Sequence, residues 1–214
     1  MKVFLDIEGT GTQNNQIAQL AYIKTDDDLN LVMAKNFFFK VDDMNPFAQR
    51  LHGLSMEYLK RASDGDVFKD RFEEINNDLA DSLLVCHNTR SDYDLLAVEY
   101  QRLGQAYSPK SHFCTMAFFK PLCEIHDRNG KIKPPSLREL IDFHEFSNEE
   151  ISVAAAKLFG CIHVQPHDSR FDAAAIFLIC QKAVTKEGFS SHHPQNLPAR
   201  PAPAVIVPLA PKRR

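Results

Sequence analysis

The stretch Val3-Phe-Leu-Asp-Ile-Glu-Gly-Thr-Gly11 opens apolar and then alternates apolar with acidic positions up to a pair of glycines. On a strand, side chains two apart share a face, so Asp6 and Glu8 look one way while Val3, Leu5 and Ile7 look the other. Two carboxylates at about 4 Å repel by roughly 4 kcal/mol at an effective dielectric of 20. Both can stay ionised only beside a cation or hydrogen-bond donors. The Gly9-Thr10-Gly11 turn should leave main-chain amides exposed and room for a close approach. Taken alone, the pair is equally consistent with an acidic strand end.

Working outward, Lys2 to Ile7 reads as a first strand, Gln16 to Lys24 as a second and Leu31 to Val41 as a third. Their short connections predict an antiparallel meander. The pattern turns helical after Asn45-Pro46 and His52-Gly53, and Phe68, Phe72, Ile75 and Leu79 mark an amphipathic helix. That helix leads into a buried strand at Leu83 to Cys86. A helix from about Asp92 to Leu103 follows, then a strand near His112 to Cys114 and a helix from Thr115. Ser136 and Glu139 form a capping box for a helix through Phe143, Asn148 can cap another running to Phe159, and a last helix covers about Ser169 to Thr185. Five strands with helices interleaved predict an α/β fold, a mixed sheet flanked by helices.

The chain is long enough for one substantial core, with 44% hydrophobic residues among 214. Residues 1–187 read as that domain. Residues 188–214 hold six of the twelve prolines and read as a flexible tail, whose apolar patch Ala204 to Leu209 could dock a polymerase or clamp. The tail carries Arg200, Lys212, Arg213 and Arg214 with no acid, which leaves −7 on residues 1–187 from a formal total of −3. This excludes binding driven by a large basic excess and suits a site that gathers cations. Five scattered cysteines with no CxxC pair favour a reducing compartment, and no signal-like or membrane-spanning run is present. The expected location is cytoplasmic, without a membrane partner.

Two further acids lie on apolar helical stripes. Asp92 continues through Leu95, Leu96 and Leu103, and Asp172 through Ala175, Ile176, Ile179 and Ala183. An acid on such a stripe needs a partner. Their neighbours differ: Asp94 falls off its stripe, and Asp168 is better placed as a cap or exposed residue. His167 would sit about 140° from Asp172 on a continuous helix, so it belongs in the loop before it, from which it can reach over the site. An imidazole there could take a proton from water. All-oxygen ligation suits Mg²⁺ or Mn²⁺ rather than zinc, and two such ions could clamp a phosphodiester.

These residues resemble the DnaQ-like 3′ to 5′ exonucleases of the DEDDh type over residues 1–187. Asp6 and Glu8 match the first motif, Asp92 the second (His-Asn, then an acid five after the His), and His167 with Asp172 the third; Leu51 to Ser55 is similar to the family's HGL segment. The resemblance implies a ribonuclease-H-like fold with a five-stranded mixed sheet. It further implies Asp6, Glu8, Asp92 and Asp172 as ligands of two Mg²⁺ or Mn²⁺ ions, and His167 as general base. Gly9, Thr10 and His52 align with positions that contact the terminal nucleotide, whereas His87 and Asn88 look structural. The chain departs from the family at Gly9, where a Thr or Ser is usual, at Thr12 and at Phe47.

The implied activity is metal-dependent release of nucleoside 5′-monophosphates from single-stranded DNA or frayed 3′ ends, as in proofreading or repair. DNA is favoured over RNA as the nucleic-acid partner. Two alternatives are an exoribonuclease of the same fold and a non-catalytic nucleic-acid-binding or polymerase-docking module. A third, a zinc hydrolase built on His192 and His193, has less in its favour.

Overall fold

A computed structural model describes residues 1–187, apart from Ser108 and His163 and the side chains of 185–187. The meander forms as β1 (Lys2–Gly9), β2 (Ile17–Thr25) and β3 (Leu31–Phe38), all antiparallel. Two parallel strands, β4 (Leu83–Cys86) and β5 (Ser111–Cys114), complete a sheet of order β3-β2-β1-β4-β5. β1 therefore lies centrally, between an antiparallel and a parallel neighbour. The third strand ends at Phe38, short of the expected Val41: the Phe39 N–H still reaches the Ala18 carbonyl at 2.9 Å, but β2 begins at Ile17 and the Lys40 N–H turns to the Asp66 carbonyl at 2.7 Å, while Phe39 packs beside Phe37 and Phe68.

The helices are α1 (Pro46–His52), α2 (Met56–Ala62), α3 (Phe68–Leu79), α4 (Thr89–Arg102), α5 (Thr115–Cys123), α6 (Leu137–Phe143), α7 (Asn148–Phe159) and α8 (Ser169–Glu187). Alternation along β1 sorts them into two layers. Val3 and Leu5 pack with Ile75 and Leu79 of α3 and Leu95 and Leu96 of α4. On the opposite face Phe4 packs with Phe171, Ala174, Ala175 and Phe177 of α8, its ring meeting Phe177 edge-on at 5.2 Å. Ala173, Ala174 and Ala175 are fully buried, and their small side chains let α8 lie close to the sheet. Among the described residues no helix is long and apolar enough to cross a membrane. The domain boundary at 187/188 and the tail, with its docking patch and His192-His193, fall outside the described residues.

Two helix starts differ from the sequence reading. α4 begins at Thr89, three residues before Asp92, because Asn88 takes a left-handed conformation (φ 66°) that turns the chain straight out of β4. α7 is capped by Ser147 rather than Asn148. The Ser147 hydroxyl accepts the Glu150 N–H at 3.1 Å, and the Glu150 carboxylate accepts the Ser147 N–H at 2.8 Å. A capping box needs its acid three residues on, and Asn148 would meet Ile151 there.

Candidate active site

At the carboxyl end of β1 the two helical layers converge. Asp6 and Glu8 share the α8 face of the strand, as alternation predicts. A bulge between Glu8 and Gly9 then shifts the register against β2, the kind of irregularity that re-aims side chains beside a site. α4 delivers Asp92 in its first turn, 5% exposed, and α8 delivers Asp172 in its first turn, 9% exposed. His167 lies in the loop before α8 in a left-handed conformation (φ 67°), a placement costing on the order of 1 kcal/mol. Its ring is exposed. Ligand atoms of Glu8, His167 and Asp172 lie within 4.8 Å of one another.

Asp6 and Asp92 join this group through charge. Burial first, and then the negative charge of Asp6, push the carboxyls of Asp92 and Asp172 well above the usual range. Glu8 rises to about 10, through burial and the charges of Asp6, Asp172 and Asp92. Burial also lifts Asp6 itself to about 7, with Asp168 adding to the rise. Oδ2 of Asp6 and Oδ2 of Asp92 are both buried without a hydrogen-bond partner. Lone pairs buried without donors are costly, and a divalent cation among four carboxylates would relieve both the desolvation and the repulsion. The donor set of hard oxygens matches Mg²⁺ or Mn²⁺.

The competing acids are placed elsewhere. Asp94 is exposed, 3.6 Å from Arg90 on the next turn. Asp168 does cap α8, accepting the Arg170 N–H at 3.0 Å, but it is not exposed. Burial works to raise its pKa, yet the Arg170 guanidinium at 2.6 Å and the Gln19 amide at 2.8 Å override that and hold it below the usual value. An acid already matched by an arginine has little left to offer a metal.

The nucleotide-contact candidates divide. His52 is buried at the end of α1, where its Nδ1 accepts the Leu54 N–H at 3.0 Å and the rest of the ring lies against the Gly9 main chain. Burial, with the charge of His167 adding to it, lowers its pKa and outweighs a main-chain hydrogen bond to Gly9 that works the other way, so the ring is neutral near pH 7. Thr10 is fully buried, and its hydroxyl is engaged by Thr12 and the Gln16 N–H and helps hold the turn. The open turn expected from the glycines is not there. The Thr10 N–H donates to the Gln16 carbonyl at 2.9 Å, and the Gly11 N–H to Asn15 Oδ1 at 2.8 Å. At Gly9 a Cβ would come within 2.8 Å of Asn15 Oδ1 and 3.0 Å of Leu95 Cδ2. Asn15 therefore fills the space a threonine would need, which accounts for the departure at position 9.

Sequence reading assigned His87 a structural role without saying to what. Its ring bridges Thr115 Oγ1 at 3.0 Å and the Pro135 carbonyl at 3.1 Å, and burial lowers its pKa to about 4. Neutral at pH 7, it can donate to that carbonyl and tie the end of β4 to the segment before α6. Sequence reasoning also missed Asn15 and the Glu99–Arg102 pair that holds the turn from α4. Glu99 accepts the Ile17 N–H at 3.1 Å, and Arg102 donates to Asn14 Oδ1 at 2.8 Å and to the Asn15 carbonyl at 3.0 Å. These contacts span more than 80 positions, and no local pattern announces them.

The profile of the RNase_T exonuclease family matches residues 3–179. The chain belongs to that exonuclease family. Among curated proteins no sequence matches. Among solved structures of similar fold is exonuclease I from Methylocaldum szegediense, with TM-score 0.64 and 17% identity over 89% of this chain and 42% of that one. Another is E. coli exonuclease I in complex with a dT13 oligonucleotide, with TM-score 0.63 and 18% identity over 88% of this chain and 42% of that one. A zinc-bound E. coli exonuclease I complex with single-stranded DNA gives 0.61 and 20% over 87% and 41%. The chain thus spans about two-fifths of the exonuclease I chains it resembles. This family membership agrees with the mixed five-stranded sheet and with a nuclease site at the end of β1.

Proposed function

We propose that the chain is a metal-dependent 3′ to 5′ exonuclease that removes nucleoside 5′-monophosphates from single-stranded DNA. The observation that carries this reading is the convergence of Asp6, Glu8, Asp92 and Asp172, two of them with buried, unpartnered oxygens, in an exonuclease-family fold. The preference for DNA is supported by fold likeness to a protein crystallised with a dT13 oligonucleotide.

Asp6, Glu8, Asp92 and Asp172 would hold two divalent ions, which supply an activated water and neutralise charge on the phosphate. His167, exposed at the rim and within 4.8 Å of Glu8 and Asp172, is the group able to take the proton of that water and pass it to solvent. Its main-chain N–H faces the Asp172 carboxylate, so the base and a metal ligand are positioned by one loop. Neutral His52, beside Gly9, can meet the terminal nucleotide without adding charge.

The decisive assay is release of mononucleotides from a 5′-labelled single strand, run in parallel on matched DNA and RNA. Asp6→Ala or Asp172→Ala should reduce it to background, and full activity in either variant would remove the proposed site. His167→Ala should cost about 10²-fold, and a near-normal rate would exclude it as base. Faster digestion of the RNA strand would turn the reading to an exoribonuclease. Metal-independent binding with no turnover would leave a non-catalytic module.

A further inference from the structure

Residues 120–138 hold five basic residues against two acidic ones, in a body that is otherwise acidic. Within them Ile125 to Lys133 forms a short antiparallel finger. The Lys133 N–H meets the Ile125 carbonyl and the Asp127 N–H the Lys131 carbonyl, both at 2.8 Å, with an isolated bridge between His126 and Ile132. Asp127 spends its carboxylate on the turn, accepting the N–H groups of Asn129 at 2.8 Å and Lys131 at 3.0 Å. Lys133 is bound to Glu139 at 2.6 Å. Lys120 is half-buried on α5, which leaves three exposed cations: Arg128 and Lys131 at the tip, and Arg138 in the first turn of α6. All three are exposed and in no ion pair among the described residues. Elsewhere Arg61, Arg71 and Arg90 each face an acid, whereas Arg50, Lys69 and Lys157 are likewise exposed and in no ion pair among the described residues.

The finger is joined to the catalytic end of the sheet. Pro135 is held by the ring of His87, which leads through Asn88 into α4 and Asp92. Lys131 is four residues from Pro135, a reach of at most about 14 Å. Beside it Ile132 is 41% exposed, so the finger offers apolar area between its charges.

We propose that the finger and the start of α6 grip the phosphate backbone of the strand a few nucleotides upstream of its 3′ end, through Arg128, Lys131 and Arg138. This rests on the exonuclease reading for its substrate, but the grip is measurable without catalysis. In a single domain with an acidic body, these three cations supply a local anchor for a polyanion that the carboxylate site itself repels.

The experiment compares the full chain with the triple variant Arg128→Gln, Lys131→Gln, Arg138→Gln, and with Lys69→Gln, Lys157→Gln as a distant charge control. Binding of labelled oligothymidylate is read by anisotropy in metal-free buffer over a salt series. Hydrolysis of the p-nitrophenyl ester of thymidine 5′-monophosphate, which has no upstream strand, is read with Mn²⁺. The triple variant should bind roughly tenfold or more weakly at low salt, and the slope of log K against log salt should fall by about 2, near 0.7 per lost phosphate contact. Its ester hydrolysis and melting temperature should match wild type, and the control pair should bind normally. An unchanged affinity and slope in the triple variant would overturn the proposal, as would an equal loss in the control pair. If wild type hydrolyses neither substrate yet shows the cation-dependent slope, the exonuclease reading falls and the grip stands.

Discussion

Replacing Glu8 with glutamine should abolish activity and yet stabilise the metal-free protein. The folded chain holds the Glu8 carboxyl up to about 10 against an ordinary 4.5, through burial and the neighbouring acids. Between these two values the unfolded chain releases a proton that the folded chain retains, so stability falls as pH rises through that window. At about 1.4 kcal/mol per pH unit the cost at pH 7 is about 3 kcal/mol, which a neutral amide in place of the carboxyl would not bear. No hydrogen bond of the Glu8 side chain is lost with it among the described residues. For a domain of this size each kcal/mol moves the melting temperature by about 2–4 °C, so the Glu8→Gln variant should melt ~10 °C higher at pH 7. Thermal melts in EDTA at about pH 4.5, 7 and 8.5 should show the gap near zero at the lowest pH and widening upward. On the proposed reading, in which the ions bind only the folded carboxylates, saturating Mg²⁺ or Mn²⁺ should raise the wild type and leave the variant nearly unmoved. A variant that melts at or below wild type at pH 7 in EDTA would refute the claim that Glu8 is held against its own charge.

Gly9→Thr, the residue usual in the family, should destabilise by about 1–3 kcal/mol, since its Cβ meets Asn15 Oδ1 at 2.8 Å. Adding Asn15→Gly should recover part of the loss in a denaturant titration; no recovery would mean that Leu95 or the backbone sets the limit. His87→Ala strands the buried Pro135 carbonyl and should cost about 1–3 kcal/mol, with the salt slope for oligothymidylate falling as the finger loosens. EDTA should stop nucleotide release and either Mg²⁺ or Mn²⁺ should restore it, whereas restoration by Zn²⁺ alone would contradict the oxygen donor set.

Much of the site was legible because periodicity reports which face of its own element a side chain takes. Asp6 and Glu8 share one face of β1, and Asp92 and Asp172 fall on the inner stripes of α4 and α8. Only an acid with no local partner on such a stripe demands a cation, so pattern alone could prefer Asp92 over exposed Asp94. His167 was legible by elimination, since no continuous helix could present it together with Asp172. The turn at Gly9 to Gly11 was misread because its amides are satisfied by Gln16 and Asn15, and composition cannot say whether a glycine marks open space or space another side chain fills.

The sequence by itself determined the strand and helix order, the face of each acid, and the family, because these depend on near-neighbour spacing and on short motifs in a set order. The tertiary structure decided what pairs with what. Gln19 reaches Asp168 from 149 residues away and, with Arg170, takes that acid out of the candidate cluster of carboxylates; Glu99 and Arg102 hold the turn beside Gly9; and His87 fastens a basic finger to the end of β4. A charge becomes ligand, base or spent ion pair only through its neighbours in space. Those neighbours come from elements whose packing is set by the whole core.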